Sequence, residues 1–409
     1  VEMPVEWLFR QLFILGGLFF FFALFQFAIK QKKIDDLILV LAFSTGLQAL
    51  IGTIHTLDIS YFPSWLPNNP DFIPRGIFQQ VNLLASYSVT GMCLCLYSIS
   101  RPSFFTRSRF VKALLVVSFS FAVYVVIASG SRVGLLSMLI VIPLMLLARY
   151  QQLKKHKLLL FIIGTMSIIT IYAGQAGLSK TIDKTVQMSD KSYSSARIEM
   201  YSIGIELVKN EPLSGYGIGS FLRAWNHQAS DYMTRYPEVK LPAITVHPHN
   251  EILFWMIEGG LLSVMGIFVV ILGVIIGLCK CGLQRGGAYA AMLLPISLHT
   301  QVEHPFYTSS LHWFLWLFIL FLVFRHQRKT VLLTLSTLAT KTLQFSGILL
   351  AVVVTLFMVN TMSAQLALYH FTHDKTMKPA HLQLALHNLY TSQAAEKVAM
   401  RTTLYAGVD

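Results

Sequence analysis

The chain has 409 residues, 55% hydrophobic and 12% charged, with a formal net charge of +13. Soluble globular chains carry about 25% charged residues, so this low charge, with 29 phenylalanines, excludes an ordinary water-soluble domain and points to lipid as the solvent. The basic residues sit in short clusters between apolar runs, which argues against a nucleic-acid groove and in favour of topology signals and phospholipid contacts.

The opening Val1-Glu2-Met3-Pro4 has no basic n-region and no cleavage site follows, so no signal peptide is expected. An apolar stretch of about 20 residues crosses a bilayer as a helix. About ten segments qualify: 8–29, 36–55, 80–99, 112–129, 132–148, 158–177, 251–278, 286–302, 311–324 and 344–361, with 331–343 as an extension of the last. Lys30, Lys32 and Lys33 follow the first; Arg101, Arg107, Arg109 and Lys112 follow the third; Arg149, Lys154, Lys155 and Lys157 follow the fifth. Lys280 and Arg285 follow the seventh, and Arg325, Arg328 and Lys329 the ninth. Every cluster falls on the same alternate side, which the positive-inside rule makes cytoplasmic. The other side receives the first residues, 56–79, the turn Ser129-Gly130-Ser131, the long segment 178–250, the short loop 303–310 and the tail 362–409. An outer first residue fits a chain whose earliest spans are missing. Cys93/Cys95 and Cys279/Cys281 have neither zinc-knuckle nor CxxC spacing and read as ordinary thiols.

On the outer side, polar residues gather where packing does not call for them. Arg75 to Ala85 opens the third span, and Gln80 and Asn82 are either inter-helix hydrogen-bond partners or sugar ligands. Arg132 opens the fifth span and is either an interfacial anchor or an anion ligand, the positive-inside bias favouring the ligand. The long segment is far larger than a connection needs. It holds Arg197, a helical stretch from Ile203 to Val208, and Glu211-Pro212-Leu213-Ser214-Gly215-Tyr216-Gly217-Ile218-Gly219-Ser220-Phe221. Its glycines permit tight turns and close backbone approach, but the spacing is not that of a dinucleotide site. Arg223 follows. His247, His249, Asn250, Glu251 and Glu258 form a dense polar set where the seventh span begins, and imidazole exchanges a proton near neutral pH. Two histidines at i, i+2 also suit a metal, but no third ligand stands at a standard spacing. His299, Glu303, His304 and His312 cluster about the short outer loop; a site, a proline-terminated helix and an aromatic belt account for them equally.

Together these residues resemble the O-antigen ligase/polymerase superfamily of bacterial inner-membrane glycosyltransferases. The resemblance is carried by Gly76-x-Phe78-x-Gln80-x-Asn82-x-x-Ala85, by Ser131-Arg132, by Arg197 ahead of Pro212-Leu213-x-Gly215-x-Gly217-x-Gly219-x-Phe221, and by His249-Asn250 ahead of Glu258-Gly259-Gly260. The elements occur in the family's order over about 75–313. His299 to Phe306 is most similar to the PglL-type protein O-oligosaccharyltransferases, although His304 stands in the middle of what is there a Glu-Tyr-Pro-like triplet.

The resemblance implies an all-α polytopic GT-C-type bundle of the inner membrane. Its expected parts are N-terminal transmembrane helices (1–177), a periplasmic loop with catalytic residues (178–250), C-terminal transmembrane helices (251–361) and a periplasmic tail (362–409). It implies an undecaprenyl-pyrophosphate glycan donor, a periplasmic acceptor protein or lipid A-core, membrane phospholipid around it, and neither cofactor nor metal. Arginine forks bind phosphate oxygens bidentately, so Arg132 and Arg197, with Arg223, are expected on the pyrophosphate. His249 is the expected general base, with His247 as substitute. Arg75, Gln80, Asn82, Tyr216, Asn250, Glu258, Glu303, His304 and His312 are expected to touch substrate or support the site. Lipid A-core ligase, O-antigen polymerase and, in a different class, a lipid-linked glycan transporter are the alternatives. A transporter calls for paired repeats of broken helices and mid-span charges, whereas these ionisable residues gather at one membrane face.

Overall fold

The computed structural model describes residues 4–57, 71–78, 80–189, 196–239, 241–242, 245–327, 335–373 and 379–406. Most of the outer connection 56–79, residues 190–195 ahead of Arg197, and Arg328 and Lys329 lie outside the described residues. The protein is an all-helical polytopic membrane protein, with no strand among the described residues. Seven helical stretches among the described residues are long and apolar enough to cross a membrane. One of them, Arg132–Ala173, holds two of the expected spans. The segment expected at 286–302 is a helix at Gly282–His299, and 311–324 is a shorter apolar helix at Ser310–Phe324.

The chain divides into two compact units, one comprising Val1–Met3 and Phe9–Arg328, the other Pro4–Leu8 and Lys329–Asp409. The first unit contains α1 (Pro4–Gln26) from Phe9 onward, α2 (Gln31–Ile54), α3 (Val81–Ile99), α4 (Arg109–Ala128), α5 (Arg132–Leu153) and α6 (Lys157–Ala173). It continues through α7 (Gln175–Ser189), α8 (Ala196–Asn210), α9 (Phe221–Arg235), α10 (Glu251–Lys280), α11 (Gly282–His299), the single turn α12 (Pro305–Thr308) and α13 (Ser310–Phe324). Helix α3 is its axis: every residue from Leu83 to Ile99 is buried, and α2, α4, α5 and α11 pack around it. Small residues let these backbones approach, as where Gly91 of α3 lies against Thr45 of α2. Phe13 stacks on Trp313 at 4.7 Å and Phe25 meets Phe321 at 5.0 Å, joining α1 to α13. Large side chains such as Phe19, Leu147, Phe161 and Phe268 point outward, as lipid-facing surface should.

The five basic connections converge at one end of this bundle. Arg101 pairs with Asp35 at 2.9 Å, and Arg107 pairs with Asp36. Arg149 donates to Ser100 Oγ at 2.8 Å, Gln152 to Gln284 at 3.0 Å, and Arg325 to the Ile29 carbonyl at 3.0 Å. The loops that the charge pattern placed on one side do meet there.

At the opposite end the long segment is a helical layer. Met200, Ile203 and Leu207 of α8 and Phe221, Ala224, Trp225, Ala229 and Tyr232 of α9 recur at helical spacing, and they bury against Phe254 and Ile257 of α10. Helix α10 breaks at Gly260, whose φ is +60°. The glycine-rich segment restores the hydrogen bonds lost at the break: Tyr216 N donates to Ile257 O at 2.9 Å, Gly217 N to Glu258 O at 2.8 Å, and Leu261 N to Pro212 O at 3.0 Å. The layer is thereby fastened to a spanning helix by main chain.

In the second unit, α14 (Thr337–His373) leads to α15 (Pro379–Leu386) and α16 (Ser392–Ala406). Asn388 ties them: its Nδ2 donates to Asn360 Oδ1 at 2.7 Å, and its Oδ1 accepts from Tyr390 N at 2.9 Å.

A Cβ at Gly260 would run into the Leu213 carbonyl, whereas a Cβ at Gly217 (φ +97°) meets nothing within 4 Å. Gly260→Ala combines strain with collision and should cost more than about 2 kcal/mol, while Gly217→Ala carries only the backbone penalty of about 1–2 kcal/mol. Melting midpoints of the two variants in detergent test this ordering.

Candidate functional site

The site begins with one carboxylate. Glu303, in the turn between α11 and α12, is only 6% exposed. Burying an ionised carboxylate costs several kcal/mol unless donors and cations surround it. Four groups do so. Arg197, in the first turn of α8, donates Nη2 to Oε1 at 2.5 Å. His249 faces Oε2 through Nδ1 at 2.8 Å. Gln80 Nε2 and Asn82 Nδ2, at the start of α3, reach the two oxygens at 3.4 Å each. Asn82 Oδ1 in turn accepts from Ser131 Oγ at 2.7 Å, and Ser131 caps α5 by accepting from Gly134 N at 3.2 Å. Arg132 is the next residue and opens α5, half-buried.

His249 is held by its backbone as much as by its ring. Its φ is +56°, a left-handed conformation uncommon outside glycine. Its amide donates to His247 Nδ1 at 2.9 Å, and its carbonyl accepts from the Tyr201 hydroxyl at 3.4 Å. Asn250 then caps α10 by accepting from Leu253 N at 2.9 Å, and its Nδ2 donates to Gln301 O at 3.1 Å. The Glu251 amide donates to Thr300 O at 3.0 Å. The strained turn is therefore clamped between α10 and the end of α11. With Nδ1 directed at Glu303, Nε2 is left as the second ring nitrogen, and the carboxylate favours the tautomer in which it accepts a proton.

Burial alone would raise the Glu303 pKa, but the hydrogen bond and charge of His249, with Arg197, outweigh it and hold the carboxyl at about 2. Burial, with His247 and His249 nearby, brings His304 down to about 4. Burial lowers His247 as well, opposed by Glu251 at 3.5 Å. His247 stacks against Phe254 and His304, with ring centroids 4.5 and 4.9 Å away. At neutral pH the site therefore has an ionised Glu303 beside neutral His247 and His304.

The other expected residues lie elsewhere. Glu258 is wholly buried and joins three segments: Oε2 accepts from Arg10 Nη1 at 2.8 Å, Oε1 from Phe221 N at 3.0 Å. Arg10 also lies over the Phe254 ring, 4.2 Å from its centroid. His312 is buried in the bundle, with Nδ1 on Ser309 Oγ at 2.8 Å and Nε2 at 3.1 Å from Ser86 Oγ, which also contacts His299 Nδ1 at 2.8 Å. Arg75 pairs with Asp71 at 2.7 Å on the surface. Tyr216 and Arg223 line a separate groove between α8 and α9, with Leu207, Ser220, His227 and Gln228.

Sequence reading gave no role to Arg10 or Tyr201. Arg10 left a signal, because a lone cation in an apolar run needs a counter-charge. Tyr201, an ordinary surface position on a helix, left none.

A family model described as O-antigen ligase matches residues 114–269. No curated protein matches the chain. The matched stretch takes in Arg132, Arg197, Tyr216, Arg223, His247, His249, Asn250 and Glu258, and stops short of Glu303.

These shifts define two pH windows for stability. His304 is lowered from 6.5 to about 4, so the unfolded chain takes up its proton first, and stability falls as pH drops from 6.5 towards 4. Glu303 is lowered from 4.5 to about 2, so its contribution is whole above pH 4.5 and is lost only between 4.5 and 2. His304→Asn should make the first limb shallower, with His247 keeping part of it, and Glu303→Gln should lower the neutral-pH melting midpoint by about 5 °C while leaving that limb in place. Melting curves from pH 7.5 to 4 read both effects.

Proposed function

We propose, from the O-antigen ligase family model that matches residues 114–269, that the protein transfers a glycan from undecaprenyl-pyrophosphate to an acceptor hydroxyl on the periplasmic face, with Ser or Thr of a protein as acceptor. The observation that carries this reading is the Glu303 carboxylate held between Arg197 at 2.5 Å and His249 at 2.8 Å. It sets an anion-binding cation beside an oriented imidazole, and those are the two groups this chemistry needs.

The acceptor oxygen attacks the anomeric carbon, and the bond from that carbon to the pyrophosphate oxygen breaks. The leaving group keeps the electron pair as an anionic pyrophosphate on its lipid. Arg197, whose side chain is 34% exposed, offers its remaining N–H groups to the phosphate oxygens. Arg132, at the head of α5 beside the Ser131–Asn82–Glu303 chain of hydrogen bonds, is assigned to the same anion. Arg223 lines the α8–α9 groove instead and is assigned there to the glycan or to the outer phosphate. His249 Nε2 takes the hydroxyl proton, a role worth about 10²–10⁴-fold. Glu303 is a positioning residue that holds the ring and stabilises the imidazolium once it forms. His247 supports the His249 amide, and Gln80 and Asn82 support the carboxylate. Attack opposite the leaving group inverts the anomeric centre. No step asks for a metal, so transfer should proceed in EDTA.

Lipid A-core ligation is the second reading, favoured by the description of the matching family. It uses the same residues and differs only in acceptor.

Purified protein with undecaprenyl-pyrophosphate glycan, offered a pilin-like protein and lipid A-core in parallel with EDTA present, separates these readings. Glycan on the protein supports the proposal, and glycan on lipid A-core alone moves it to ligation. Transfer to neither counts against both. His249→Ala should lower turnover at least about 100-fold with donor binding retained. Arg197→Ala should weaken donor binding about tenfold or more. Wild-type rates in both variants would end the assignment.

Glu303→Gln should reduce turnover about 10–100-fold while changing the acceptor KM less than threefold, because it disturbs the orientation of the base rather than acceptor contact. A change confined to KM would instead place Glu303 on the acceptor.

A further inference from the structure

Glu303 has a further neighbour in His304. His249, Glu303 and His304 each offer one ligand atom, and these atoms lie within 4.8 Å of one another. We propose that these three side chains bind a zinc-class divalent cation, and that the bound ion inhibits the protein.

Two imidazoles and one carboxylate are the donor set that zinc accepts in open sites with a free fourth position. Magnesium and calcium want six or more oxygens, and a single carboxylate between two rings does not supply them. The donors are available. His304 Nδ1 and, behind it, His247 Nε2 are buried and make no hydrogen bond to the described residues, so neither ring is fully committed to the fold. The ring centroids of His249 and His304 stand 5.2 Å apart at an interplanar angle of 65°, and a nitrogen of each lies within 4.8 Å of a Glu303 oxygen. The span of up to 4.8 Å between ligand atoms exceeds that of a closed tetrahedral site, and small ring rotations close it. Glu303 is already anchored by Arg197, Gln80 and Asn82, so the rings move towards a fixed carboxylate.

The histidine spacing visible in the chain, at 247 and 249, is a decoy for this purpose. The ring that completes the set comes from residue 304, brought in by the turn after α11. An ion seated there takes the place of the hydrogen between His249 Nδ1 and Glu303 Oε2, and that proton leaves to solvent. It also competes with Arg197 for the carboxylate. Binding rests on this geometry alone; inhibition rests additionally on the transferase reading, because it requires His249 to be the base.

The test uses the full chain in detergent, stripped with EDTA and desalted, and titrated calorimetrically with zinc chloride or magnesium chloride. One zinc equivalent should bind with a Kd on the order of micromolar, and 1 mM magnesium should not compete. His304→Ala and Glu303→Gln should each weaken zinc binding at least tenfold, while His227→Ala, whose ring is largely exposed on α9, should not. Size-exclusion profiles matching wild type would show that the weakening is not misfolding. No zinc binding, or binding unchanged in both His304→Ala and Glu303→Gln, overturns the site. In the transfer assay, activity should fall over the same zinc range and return with EDTA. Binding without inhibition would leave the zinc site standing and count against His249 as the base.

Discussion

The need to keep one buried carboxylate ionised organises this protein. Glu303 has lost most of its water, and a charge in that position is tolerable only if fixed donors replace the solvent. Those donors come from α3, from α8 and from the turn before α10. Segments separated by 54 to 223 positions in the chain are thus tied to a single group. Replacing such a cluster with apolar residues need not destabilise a fold, so its presence argues for use rather than for strength. The strained backbone at His249 points the same way, because a left-handed histidine persists only where its surroundings over-determine it.

A second buried carboxylate solves a mechanical problem. Helix α10 must begin inside the α8–α9 layer and continue as a span, and it does so through a break at Gly260. The break frees main-chain groups, which the segment from Pro212 to Gly217 satisfies. Glu258, two residues earlier, takes the amide at the head of α9 with one oxygen and Arg10 of α1 with the other. A carboxylate at a helix N-terminus is favourable, and a wholly buried one needs the arginine as well. The layer that carries Arg197 and the helix that follows His249 are thereby locked in register, which keeps the geometry at Glu303 reproducible.

Much of this was legible in the sequence, and the parts that were not share a cause. Apolar runs marked the spanning helices because the bilayer imposes their length, and the basic loops were assigned to one side because charge is costly to move across lipid. The polar set from His247 to Glu258 stood out because packing does not call for it, whereas a solvated arginine and a proline-terminated helix accounted equally well for Arg197 and for Glu303 and its neighbours. Contact is a different matter. Glu258 reads as polar excess beside His249, yet it faces Arg10, some 248 residues away. His312 reads as a boundary histidine, yet it hydrogen-bonds within the bundle core. Arg75 lies in the same motif as Asn82, yet pairs with Asp71. Helical periodicity says which face a residue is on, but not which distant segment that face will meet. The outer helices were underestimated too: only Ile203 to Val208 read as helix, whereas α8 runs from Ala196 to Asn210 and α9 follows, because their apolar stripes are narrow and interrupted by polar residues.

Sharing one carboxylate between an arginine and a histidine has a consequence for the proposed transfer. Before the donor arrives, Glu303 divides its charge between Arg197 and His249. A pyrophosphate group that draws Arg197 towards itself leaves more of that charge for the imidazole. In the proposed transfer, the imidazolium that forms then faces a carboxylate less occupied elsewhere. Acceptor deprotonation is thus favoured when a donor is present and disfavoured when it is absent. Water is the competing acceptor, and a ring clamped by the His247–His249 turn is held for the acceptor that the bound donor faces. Gln80 and Asn82 stand at 3.4 Å, longer than a strong hydrogen bond. Neutral amides at that distance steady the carboxylate without claiming the charge that Arg197 and His249 must exchange.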